Sequence, residues 1–141
     1  ALALVALQGG ATGGRILVAC QRNDRIHLVP VILYFLSGRA SGTYLYDFPH
    51  VTATRETQER IVDDLKRHDV RTVVSWRCPE PKEPNLSGVV RGATVLDEFL
   101  RAEFTVREAR PHYAILNRSD APGSPRRESP WSPAIGPART N

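Results

Sequence analysis

The chain has 141 residues, room for one domain around a single core, and a second large domain is excluded. Hydrophobic residues at 41% and charged residues at 24% lie near globular averages, which rules out a collagen-like, wholly disordered or disulfide-dense scaffold. The formal charge of +4 comes from 17 arginines and two lysines scattered among acids, a mildly basic surface without the basic stripe that would argue for nucleic acid as a partner.

Methionine is absent and residue 1 is alanine, so we expect a processed chain or a fragment of a longer one. Ala1 to Leu7 is apolar but far shorter than the roughly 20 residues of a membrane-spanning helix. It reads as the end of a truncated span or the remnant of a signal peptide. With the glycine-rich stretch Gly9 to Gly14, it makes residues 1–14 a stub and linker ahead of an α/β domain over residues 15–118.

Short apolar runs separated by longer periodic segments then predict alternating strands and helices. Ile16 to Cys20 is a buried first strand. Pro30 and Gly38 bracket a short helix over Val31 to Ser37, apolar on every side and therefore expected to be buried. Thr43 to Tyr46 is a second strand. Thr54 caps a helix reaching about His68, with Gln58, Ile61, Val62 and Leu65 on one face. The Glu56/Arg60 and Asp63/Arg67 pairs and the Asp63/Asp64 carboxylates are placed on its solvent side. Val70 to Trp76 is a third strand, and Thr94 with Asp97 suggests a capping box opening a helix striped by Val95, Leu96, Phe99 and Leu100. Phe104 to Ala109 and His112 to Asn117, around Arg110-Pro111, form an antiparallel hairpin. The expected fold is a small three-layer α/β sandwich in the order β-α-β-α-β-α-β-β, its sheet mostly parallel. Residues 119–141, with five prolines and four serines, are expected to be a disordered tail. Its two P-x-x-P matches, Pro122 to Pro125 and Pro130 to Pro133, are a weak hint of peptide recognition.

Cys20 and Cys78 stand 58 apart without a C-x-x-C motif or a nearby histidine pair, which excludes zinc-ligand spacing. Two buried thiols, or a disulfide in an oxidising compartment, both satisfy the spacing. No G-x-S-x-G elbow, P-loop or dinucleotide fingerprint is present, and His27, His50, His68 and His112 make no metal-binding pair. No catalytic residue, metal or cofactor is expected. Ligands of α/β sheets sit outside the carboxyl ends of parallel strands, so the loops after the first three strands are the places for a site. They supply Arg22, Asp24, Arg25, His50 and Arg77, which together with Arg39 could bind an anionic group such as a phosphate. The competing reading pairs Asp24 with Arg25 or Arg39 merely to fix the loop.

The landmarks also fall in a characteristic order: Arg22-Asn23-Asp24-Arg25, Tyr34 to Arg39, Thr43-Tyr44 to Pro49, Thr54 to Gln58 with Ile61 and Leu65, Val70 to Val74, Glu83-Pro84-Asn85, and Leu96 to Leu100. In this the chain resembles, over residues 15–118, the C-terminal soluble domain of polytopic bacterial membrane glycosyltransferases of the dolichyl-phosphate-mannose-protein mannosyltransferase type. Asp24, Arg25, Tyr34, Arg39, Tyr46 and Asp97 match its pattern. The resemblance implies an extracytoplasmic domain following transmembrane helices, in an enzyme moving a sugar from a polyprenyl-phosphate donor to an acceptor. The family's catalytic acid lies in an early loop between membrane helices, so no catalytic residue carries over. The implied partners are the transmembrane part of the same protein and the donor or acceptor. A free-standing α/β module binding a small anionic ligand or nucleotide is the alternative.

Overall fold

The computed structural model describes residues 14–24, 30–44, 54–78 and 92–119. Its elements run β1 (Ile16–Cys20), α1 (Ile32–Ser37), α2 (Arg55–Arg67), β2 (Thr72–Trp76), α3 (Val95–Glu103), β3 (Phe104–Ala109) and β4 (Tyr113–Arg118). The fold is α/β around a four-stranded mixed sheet ordered β1-β2-β4-β3.

Among the described strands only β1 and β2 pair in parallel, in register from Ile16 opposite Thr72 to Cys20 opposite Trp76. The β2–β4 and β4–β3 pairs are antiparallel, which corrects the expectation of a mostly parallel sheet. The C-terminal hairpin supplies half the strands and places β4 directly beside β2 over five residues, Val74 opposite Ile115 at the centre. Helix α3 passes into β3 with no intervening loop, and Phe104 at the junction meets Phe99 edge-on at 6.0 Å.

Side-chain alternation divides the core between the two sheet faces. Leu17, Ala19 and Val73 pack with Ile61, Val62 and Leu65 of α2 and with Leu96 and Leu100 of α3. Ile16, Val18 and Val74 pack with Leu33 and Tyr34 of α1. All five β1 residues are buried, as expected for a strand covered on both sides.

Helix α2 follows its sequence signals. The Thr54 side chain accepts from Thr57 N, and Gln58, Ile61, Val62 and Leu65 are buried. Arg60 reaches Glu56 at 2.7 Å, one turn away. Arg67 instead pairs with Asp64 at 3.2 Å, correcting the Asp63/Arg67 assignment. Asp64 is buried rather than solvated, because the Thr43 hydroxyl donates to it at 2.9 Å from beneath the helix.

Two further expectations fail near α1. Gly38 caps the helix in the left-handed conformation at φ 64°, but burial on every side does not follow: Leu33 and Tyr34 face inward while Phe35 is 80% exposed. A single helix lying on a sheet buries one side, whatever the composition of the other. Of the expected strand over Thr43 to Tyr46, the described residues Thr43 and Tyr44 are not in a strand, and one parallel bridge joins Ser41 to Ile16 just before them. There the Ser41 hydroxyl donates to Thr43 O at 2.6 Å and accepts from Thr43 N at 3.3 Å, a local turn that takes the groups a strand would use. Tyr46 lies outside the described residues, as does the segment 120–141 expected to be a tail.

The outer edge of β1 is nonetheless contacted at each of its outward-facing residues, Ile16, Val18 and Cys20. Ile16 N donates to Ala40 O and Ile16 O accepts from Gly42 N, Val18 N donates to the Tyr34 hydroxyl at 2.9 Å, and Cys20 O accepts from Asn23 Nδ2 at 3.2 Å. Such coverage blocks pairing with a foreign strand. The close approach requires glycine at residue 42, since a Cβ there would fall 2.5 Å from Val70 Cγ2. Among the described residues no helix is long and apolar enough to cross a membrane.

Candidate functional site

The carboxyl ends of β1 and β2 lie side by side, and the chain beyond each is bound to the other. Gln21 N donates to Trp76 O at 3.1 Å, and Cys78 N donates to the same oxygen at 3.0 Å. Cys20 and Cys78 are joined by a disulfide, their Cα atoms 5.6 Å apart. This resolves the two alternatives left by the spacing, and a bonded pair offers no thiolate nucleophile. Trp76 stacks on Tyr113 of the neighbouring β4, ring centroids 6.0 Å apart.

Behind this junction three polar side chains hold the 21–24 loop. Gln58 of α2 is completely buried and fully satisfied. Its amide nitrogen donates to Asn23 O at 2.8 Å and Ala93 O at 3.0 Å, and its oxygen accepts from Leu96 N at 3.1 Å. Leu96 N belongs to the first turn of α3, which has no intrahelical partner for it, so Gln58 caps α3 from another helix. The capping box expected from Thr94 and Asp97 is not formed: Thr94 donates to Glu98 at 2.7 Å, and its side chain caps no backbone N–H. Asp97 accepts instead from Asn23 Nδ2 at 2.7 Å and Asn23 N at 3.3 Å, across 74 residues of sequence. Burial raises the Asp97 pKa, the Asn23 hydrogen bonds oppose that rise, and the nearby Asp24 charge adds to it.

Arg22 grips Asp24 with two hydrogen bonds, Nε at 3.1 Å and Nη2 at 2.7 Å. Arg22 is thus a partner of Asp24 that the sequence did not suggest, while Arg25, one of the two it did, lies outside the described residues. The carboxylate is buried and half of the Arg22 side chain remains exposed. Arg77 stands at the same end of the sheet, its N–H donating to His112 O at 2.8 Å and its side chain exposed.

The six candidates therefore do not all converge. Arg22, Asp24 and Arg77 share the carboxyl end of the parallel pair. Arg39 follows α1 immediately before residues 40–42, which pair with Ile16 at the opposite end of β1. Four strand steps separate the two ends, about 13 Å. Arg25 and His50 lie outside the described residues.

Gln58, Asn23 and Asp97 are the residues that the sequence reading passed over as site elements. The available signal was Gln58 itself, one polar residue in the apolar stripe of α2. Among the described residues no group of three or more His, Cys, Asp or Glu side chains could hold a metal ion. The arrangement suits fixing a loop that presents guanidinium groups, which can bind an anion. No protein-family model, no curated protein and no solved structure matches the chain.

Proposed function

We propose that this chain is an extracytoplasmic accessory domain of a bacterial membrane glycosyltransferase using a polyprenyl-phosphate sugar donor, and that it is not catalytic alone. The observation that carries the proposal is the Cys20–Cys78 disulfide, which fits an oxidising compartment outside the cytoplasm. The landmark order over residues 15–118 adds the family resemblance. The division of the core between two sheet faces supports reading the domain as a small three-layer sandwich, with 119–141 as a Pro-rich tail outside it.

In this reading Arg22 and Arg77 face the membrane-embedded site and position the donor phosphate, with Asp24 orienting Arg22. Arg39 belongs to the other end and has no such role. The test is donor kinetics of the full-length parent enzyme in membranes, with alkylation of free thiols in the same preparation. Arg22→Ala and Arg77→Ala are each expected to raise donor KM about tenfold while the thiols resist alkylation. Unchanged kinetics together with free thiols would overturn the proposal. Retention of a nucleotide by the purified chain would support a free-standing anion-binding module instead.

A further inference from the structure

We propose that the outward side of α1 docks on the surface of an anionic phospholipid bilayer. The inference deepens the membrane reading above and rests on it. Among the described residues, the exposed large hydrophobic side chains are Ile32 at 55%, Phe35 at 80%, Leu36 at 48% and Tyr44 at 64%. All four fall within residues 32–44. Ile32, Phe35 and Leu36 share one side of α1 at i, i+3 and i+4, while Leu33 and Tyr34 occupy the other side against β1 and β2. The core already has what it needs from this helix, and the outward side chains serve nothing within the described fold.

Three observations choose a bilayer as the occupant. The first is where the chain enters the fold. Ile16 pairs with Ala40 and Gly42, just beyond the end of α1, so the chain ahead of Ile16 starts beside the exposed side chains. That chain carries the apolar Ala1 to Leu7 on a linker of Gln8 to Arg15. By composition, a glycine-rich stretch of this length reaches about 16 Å, so an apolar stub inserted in lipid would keep α1 at headgroup distance. Such tethering lets a weak surface contact persist.

The second is charge. The chain carries +4, and the exposed Arg15 is held at this place by donating to Ser41 O at 2.7 Å. Arginine beside exposed Phe and Tyr is the composition that settles at an anionic lipid interface. The third is size. At their observed exposures the four residues offer roughly 500 Å², below the roughly 800 Å² per partner of a stable protein interface.

The test uses the complete 141-residue chain. It is floated with vesicles of phosphatidylglycerol and phosphatidylethanolamine, and separately with phosphatidylcholine vesicles. Binding to the anionic vesicles is expected to fall about tenfold in Phe35→Ser. In Arg15→Ala the expected fall is about fivefold, confined to anionic vesicles. The Phe35→Ser loss should persist when Leu4→Ser weakens the stub, which separates the helix from the stub as the lipid-binding element. Equal vesicle binding by wild type and Phe35→Ser would overturn the inference while leaving the transferase reading standing. A lipid-free dimer abolished by Phe35→Ser would overturn it too, by placing a second copy on this surface. Phe35-dependent binding alongside a parent enzyme indifferent to Arg22 and Arg77 would remove the transferase reading and leave a peripheral membrane protein.

Discussion

The two faces of the sheet are finished differently. On one, α2 and α3 bury Ile61, Leu65, Leu96 and Leu100, and α2 turns ion pairs such as Glu56–Arg60 outward to water. On the other, α1 buries only Leu33 and Tyr34 and turns Ile32, Phe35 and Leu36 outward. The first face ends the fold at solvent, with its apolar side inward and its charged side outward. The second ends on apolar surface. A helix of this kind is held by a few contacts and is free to have a second neighbour, which is why the comparison points to α1 as the interaction surface.

The largest effect that sharpens this contrast is expected at Gln58. Replacing it with leucine keeps the volume close but strands Asn23 O, Ala93 O and Leu96 N in the interior. Unsatisfied buried backbone groups cost about 1–3 kcal/mol each, so Gln58→Leu should lose about 3–5 kcal/mol in urea unfolding after partial relaxation. Gln58→Glu tests the same point with the acceptor retained and the donor pair lost. A loss below about 1 kcal/mol would mean that the α2–α3 face is held by apolar packing alone.

The disulfide comes next. It closes the 58-residue separation that contains both α1 and α2, so it constrains the unfolded chain across both faces at once. Loop-closure entropy gives about 4 kcal/mol for a loop of this size, and about 2–4 is the usual measured range. Cys20→Ser with Cys78→Ser should lower the urea midpoint accordingly, and reduction of the wild type should reproduce the shift. An unshifted midpoint would make the bond incidental to stability.

How far these features could be read from the sequence depends on the range of the forces involved. The α2 boundaries, the Gly38 cap and the hairpin were legible because capping and hydrophobic period act within a few residues. The position of β4 beside β2 was not, since hairpin periodicity does not say which strand the hairpin joins. Asp64 was misplaced because its buried partner Thr43 is 21 residues away. At the site, Arg22 with Asp24 is a contact two residues apart, whereas the Asn23–Asp97 contact spans 74. Thr94 and Asp97 matched a capping pattern, and tertiary contacts gave both side chains other partners.

Asp97 offers a smaller, signed effect on the α2–α3 side. Its pKa is raised in the folded state, chiefly by burial, so between the ordinary value near about 4 and the raised one the native protein binds a proton that the unfolded chain does not. Unfolding free energy contributed by this group therefore increases as pH falls through the raised pKa, and decreases as pH rises. In Asp97→Asn the term disappears. Subtracting the variant's stability from the wild type's, measured by urea unfolding at a series of pH values, should give a difference that moves toward the wild type on acidification. A difference moving the other way would make the Asn23 hydrogen bonds, rather than burial, the dominant influence.

The smallest effect separates what α1 does for the fold from what it offers outside. Leu33 is 8% exposed and lies against Ile16, Val18 and Val74, so Leu33→Ala should cost about 2 kcal/mol or more. Phe35 on the opposite side of the same helix is 80% exposed, and Phe35→Ser should change stability by no more than about 0.5 kcal/mol. Side-chain type alone would rank them the other way, because phenylalanine carries the larger apolar surface. A measured loss above about 1 kcal/mol for Phe35→Ser would mean that the free chain itself covers this side chain. An unchanged melting curve combined with lost vesicle binding would assign Phe35 to contacts outside the domain, and the two inward residues, Leu33 and Tyr34, to holding α1 where those contacts can form.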